Sequence, residues 1–288
     1  MMANGFCRWA VPFFFAASGF LLAQHADEDG WYGVAIKKRI KTLLVPYVIW
    51  TLLATLVSFL LRAVANLSAD RPVLTNFPGG WCLIECFGAH PYSNAHGPLW
   101  FVQTLMCFIL LSPIYVCVGR MLGWLLPSML LAVSYLQIPP MPFHLNPSWM
   151  MYFSAGVVAR FYPIRVGKFM IWLLPLGMLW IAYHKYCMLM SNTGTFELTP
   201  LPAIVMIVIG VWSIIPDSEL PKWASGLSFP IYVLHYFWAL LGGYALPKVE
   251  GILMWLFSWT FIVLMSILTT RMVRRVPSIA DIVFGCRK

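Results

Sequence analysis

Apolar and polar positions along this chain fall into long blocks and do not alternate. Apolar runs cover residues 9–24, 43–65, 98–119, 121–138, 148–163, 168–189, 200–216, 223–247 and 250–270, with polar or basic stretches between them. A membrane β-barrel would show short alternating segments, and these runs are long and unalternating. Lipid admits only helices or closed barrels as spanning structures, and a helical span needs about 20 mostly apolar residues. The pattern therefore predicts an all-α fold, a polytopic transmembrane helical bundle of nine spans. No repeat of the kind that marks many transporters is visible.

Composition agrees. Of 288 residues, 61% are hydrophobic and 10% charged, where a soluble domain carries about 25% charged residues. The mean hydropathy is +0.80. The net charge of +9 fits the cytoplasmic excess of Lys and Arg in membrane proteins. No basic patch is interleaved with stacking aromatics, so nucleic acid is not an expected partner. With the 25–42 loop placed inside, alternation puts 14 Lys and Arg residues inside and four outside, with Arg62 within a span. The C-terminus is then cytoplasmic and the long loop 66–97 is external.

Nine spans with an inner C-terminus leave the N-terminus outside, preceded by eight residues that include Arg8. Two arrangements resolve this: a further helix upstream of Met1, or a re-entrant first segment. The seven cysteines show no metal-ligand spacing, so no metal is expected. Cys82 and Cys86 share the outer loop, where a disulfide or two free thiols are both compatible with the sequence.

Four stretches carry candidate chemistry. In VPFFFAASGFLL, Ser18 and Gly19 are small enough to let helices approach, as a packing seam or as a lining of the core. Lys37, Lys38, Arg39 and Lys41 form a basic cluster at the inner face. It suits anionic lipid headgroups and equally the phosphates of a cytosolic nucleotide-like donor. Trp100 begins GPLWFVQTL at the outer end of a run, an ordinary interfacial position. His235, in SFPIYVLHYFW, lies mid-run, where an ionisable group is costly without a function or a partner. It fits a general base or a neutral imidazole bonded to a neighbouring helix.

FFFAASGFLL, KKRIKTLLVPY, PLWFVQTL, YFSAGVVAR and SFPIYVLH follow one another in the order seen in the integral-membrane acyltransferase 3 family, which the chain resembles over nearly its whole length. The resemblance implies a single integral-membrane acyltransferase-like domain over 1–288, with about ten helices in the intact family, in the bacterial inner membrane. It implies transfer of an acyl group, usually from cytoplasmic acetyl-CoA as co-substrate, to a hydroxyl of an exported or lipid-linked glycan. No permanently bound cofactor is implied. Lys38, Arg39 and Lys41 would contact donor phosphates, and Ser18, Gly19 and Trp100 would line the core.

The chain departs from the family pattern twice. The family's paired Arg-x-x-Arg reads Arg39-Ile-Lys-Thr42 or Lys38-Arg-Ile-Lys41 here, and lysine lacks the bidentate fork of arginine. The helix that carries the family's main histidine would precede Met1, leaving His235 as the one deep histidine available as a base. The competing reading of the sequence is a transporter or glycan exporter without acyl chemistry, and a third is an inactive scaffold.

Overall fold

The structure, a computed structural model, describes residues 10–53, 55–56, 99–136, 145–163, 167–191, 201–214, 222–245 and 252–285. All of loop 66–97, with Cys82, Cys86, His90 and His96, and also His144 lie outside the described residues. Among the described residues the fold is helical and contains no strand. In chain order the helices are α1 (Ala10–Ala23), α2 (Trp31–Arg39), α3 (Trp100–Leu110), α4 (Ser112–Leu122), α5 (Leu125–Ser134), α6 (Pro147–Phe161), α7 (Leu173–Ser191), α8 (Leu201–Ile214), α9 (Lys222–Ala245), α10 (Ile252–Val273) and α11 (Pro277–Phe284). A π-helical turn, Ile40–Leu44, follows α2 and leads into helix over 45–53. A 3-10 turn, Lys168–Trp172, leads into α7.

The chain divides into two compact units, one from Met1–Ala35, Phe108–Pro140 and Leu145–Glu219, the other from Ile36–Cys107, Met141–His144 and Leu220–Lys288. In the first unit α1 packs along α6, and α7 along α8. Glycine makes the α1–α6 approach possible in both directions. A Cβ on Gly19 would run into the carbonyl of Phe153 and sit 3.2 Å from the amide nitrogen of Val157. One on Gly156 would run into the carbonyl of Ala16 and sit 3.0 Å from its Cα. Small residues at such crossings replace the hydrophobic drive that lipid does not supply. Beside the crossing, Phe15, Phe108 and Phe153 are fully buried. The Phe108 centroid lies 5.2 Å from both other rings, an arrangement worth roughly 0.5–1.5 kcal/mol per pair.

The predicted run 98–119 is one span in sequence and two helices in structure. α3 and α4 meet at Leu111 with a bend of 66°. The cause is Pro113, at the start of α4. It has no N–H to give the carbonyl of Ile109 and its ring crowds that carbonyl. The Ser112 hydroxyl donates to the Ile109 carbonyl instead, at 2.6 Å. The Leu110 carbonyl receives the Tyr32 hydroxyl at 3.0 Å.

One end of this unit is held by a polar clasp. Arg120, near the end of α4, pairs with the Asp27 carboxylate and donates to the Ala26 carbonyl at 3.4 Å. Its guanidinium lies 4.6 Å from the Phe161 ring centroid. The Tyr162 hydroxyl donates to the Arg120 carbonyl at 2.7 Å, and Trp124 Nε1 donates to the Tyr162 carbonyl at 3.1 Å. The ends of α1, α4 and α6 and the start of α5 thus share one face, the face that the charge bias assigns to the inside.

In the second unit α9 packs on α10, and α10 on α11. α11 ends at Gly285, left-handed with φ 78°, a conformation that suits glycine at a helix C-terminus. A Cβ there would meet the Thr42 backbone, 2.7 Å from its Cα. Trp50 completes the contact: its Nε1 donates to the Val283 carbonyl at 3.0 Å, and its ring stacks on Phe284, 6.4 Å between centroids.

Among the described residues no single helix is long and apolar enough to cross a membrane. The bent pair α3–α4 passes that test when taken together. The longest helices are α9, of 24 residues, and α10, of 22.

Candidate active site

The second unit contains both the basic cluster and His235. The cations occupy the last turn of α2 and the π-turn. Lys37, Lys38 and Lys41 are exposed and Arg39 is half-buried. In helical projection Lys37, Lys38 and Lys41 fall within about 100° of arc, while Arg39 lies off that face. Among the described residues no carboxylate pairs with any of the four. Burial, which disfavours the charged form, lowers the pKa of the Arg39 guanidinium from its ordinary value, yet an arginine stays protonated in proteins. Thr42 donates its hydroxyl to the Lys38 carbonyl at 3.0 Å. A π-turn inserts one residue into a helix and often marks a functional position. The result is a concentrated positive end, suited to a polyanion.

The helix over 45–53, which continues from the π-turn, reaches α9 through Trp50, whose ring centroid is 5.2 Å from that of Phe237, two residues beyond His235. The His235 ring is half-buried, with its centroid 5.9 Å from that of Tyr232. Tyr232 in turn lies 6.0 Å from Phe101 of α3. His235 Nδ1 is 3.3 Å from the Ile231 carbonyl. A tautomer with the proton on Nδ1 satisfies that carbonyl and leaves the Nε2 lone pair, which is the form a general base requires.

Ser18 and Gly19 lie in the first unit. Gly19 occupies the crossing with α6, and Ser18 is half-buried on α1. Trp100 starts α3, edge-on to Phe101 at 6.5 Å. Sequence reading passed over the polar residues inside α3. Gln103 is 7% exposed and Thr104 fully buried, and Thr104 back-bonds to the Trp100 carbonyl at 2.9 Å. Tyr47 and Thr51 are likewise buried, one turn apart on the helix over 45–53. The argument that singled out His235, a polar group inside an apolar run, would have found Gln103 too.

Four of the five sequence motifs therefore meet in pairs. FFFAASGFLL and YFSAGVVAR form the α1–α6 crossing, and PLWFVQTL meets SFPIYVLH through Phe101 and Tyr232. Residues 1–271 match the family described as Acyltransferase domain, acyltransferase 3. The chain belongs to this family. The matched part of this acyltransferase-family chain runs through both units and stops short of α11. It is similar to the succinoglycan biosynthesis protein ExoH of Rhizobium meliloti (strain 1021), 27% identical over 241 residues. That alignment covers 80% of this chain, and the chain spans 65% of the length of that relative. No solved structure matches.

Proposed function

We propose that the protein is a membrane O-acyltransferase of the bacterial inner membrane, moving an acyl group, acetyl in the first instance, from cytoplasmic acyl-CoA to a sugar hydroxyl of an exported or lipid-linked glycan. The observation that carries this reading is the joining of the basic cluster to the His235 helix through Trp50, within one unit of an acyltransferase-family chain. Lys38, Arg39 and Lys41 hold the phosphates of the donor. The lysines act as point charges and Arg39, tethered by partial burial, supplies directed N–H donors. The acceptor hydroxyl oxygen attacks the thioester carbonyl carbon. His235 Nε2 takes the hydroxyl proton, the C–S bond breaks, and the proton passes to the departing thiolate. The similarity to a succinoglycan biosynthesis protein supports a polysaccharide as the acceptor class.

Donor binding tests the proposal. Acetyl-CoA affinity of the purified chain is measured by calorimetry, then again with Lys38, Arg39 and Lys41 all changed to alanine. A loss of at least tenfold in the variant is expected. No binding to the unaltered protein, or equal binding to both, argues instead for an exporter or a scaffold.

A further inference from the structure

α11 (Pro277–Phe284) lies beyond residues 1–271, which match the family. What holds its two ends fixes its place. It follows α10 through a turn in which the N–H groups of Arg274, Arg275 and Val276 donate to the carbonyls of Thr270, Met272 and Val273. At its other end Gly285 lies against the Thr42 backbone, and Trp50 bonds Val283 and stacks on Phe284. The apolar run 250–270 therefore ends just before α11, and the run 43–65 begins beside its far end. The charge bias assigns both points to the inner face. Pinned there at both ends, a helix of 8 residues, about 12 Å long, runs along that face.

A helix in this position meets protein, lipid and water, and α11 has three sectors to match. In helical projection Ala280, Val283 and Phe284 fall within about 100° of arc, and they are its half-buried and buried positions. Ser278 and Asp281, both exposed, form a polar sector. Ile279 and Ile282 form the third, at 49% and 52% exposure, with Val276 just ahead of them at 47%. Arg271, Arg274 and Arg275, all exposed, stand at the N-terminal end of the helix. Large apolar side chains beside a group of cations are what a helix lying in a membrane interface carries. The arginines decide what covers the apolar sector, because lipid phosphates lie at this level and anionic headgroups attract basic segments next to a span.

We propose that α11 is an interfacial anchor for anionic phospholipid. Val276, Ile279 and Ile282 enter the boundary between headgroups and acyl chains, and Arg271, Arg274 and Arg275 hold lipid phosphates. At about fivefold per cation near an anionic leaflet, the three arginines favour anionic over zwitterionic lipid by roughly a hundredfold. The inference stands apart from the donor reading, which assigns Lys38, Arg39 and Lys41, beyond the other end of α11.

The test places the full chain in nanodiscs of pure phosphatidylcholine, and in nanodiscs of phosphatidylcholine and phosphatidylglycerol in equal parts. Amide hydrogen exchange is read by peptide. In α11 it should be at least tenfold slower in the mixed lipid, and the difference should shrink at high salt. The triple variant Arg271→Gln, Arg274→Gln, Arg275→Gln should abolish the difference between the two lipids and leave exchange in α9 unchanged, which shows that it is folded. Ile279→Ser with Ile282→Ser should speed exchange of α11 in both lipids. Equal exchange of the original chain in the two lipids, or a full phosphatidylglycerol effect in the triple variant, overturns the proposal. Acetyl-CoA affinity of the triple variant should stay within about twofold of the original. A tenfold loss would assign the arginines to the donor phosphates and equally overturn it. The exchange comparison decides even if the original chain binds no acetyl-CoA, a result that would sink the donor reading alone.

Discussion

The Tyr32 hydroxyl donates to the Leu110 carbonyl at 3.0 Å, across 78 residues of chain. It caps one of two carbonyls freed at the α3–α4 bend, and the Ser112 hydroxyl caps the other. A kinked helix in a low-dielectric surrounding is tolerable only when such groups are re-satisfied. Tyr32→Phe and Ser112→Ala should each cost about 0.5–1.5 kcal/mol, read as a lowered thermal midpoint. Pro113→Ala should restore a backbone donor to Ile109 and make Ser112→Ala nearly neutral in that background. If Ser112→Ala costs the same with and without the proline, the hydroxyl is not substituting for the missing N–H.

Two glycines, one at the α1–α6 crossing and one away from it, carry opposite expectations. Gly156→Ala places a methyl against the Ala16 backbone, and backbone cannot give way as a side-chain end can. A loss of about 1–3 kcal/mol or more is expected, as for overpacked cores. Gly33→Ala meets nothing within 4 Å and lies inside α2, so it should be neutral to stabilising by about 0.5–1 kcal/mol. Thermal melts of the two variants against the original chain decide the matter.

The Arg120–Asp27 pair is largely exposed, at 44% and 65% for the two side chains. Asp27→Asn should therefore change stability by no more than about 1 kcal/mol, and the difference should vanish at high salt. Arg120→Ala should cost more, because it also removes the contact with Phe161. Unfolding at low and high ionic strength separates the two contributions.

His235→Ala should lower acyl-transfer turnover by roughly 10²–10⁴-fold with donor affinity unchanged, the effect expected when a general base is lost. Trp50→Phe removes the bond to the Val283 carbonyl and should cost about 1 kcal/mol. It should also increase proteolysis or hydrogen exchange in α11 before any other segment. Assays of kcat alongside direct donor binding distinguish a chemical role for His235 from a structural one.

The sequence alone determined that the described chain is helical, because its apolar runs are long and lack the two-residue period of a half-buried strand. It determined the family, through five short motifs in order. It also marked the basic cluster and His235, whose charge or polarity stands out against apolar surroundings. Pairing was not legible. Helices that are apolar on nearly every side show no stripe to indicate which neighbour each face meets. Only the tertiary structure decided that Gly19 and Gly156 open the same crossing, that Trp50 ties the basic segment to Phe237 and Val283, and that one predicted span breaks at Leu111. Each of these rests on close shape fit or on a carbonyl freed by proline, and both become visible only when distant segments are brought within a few ångströms.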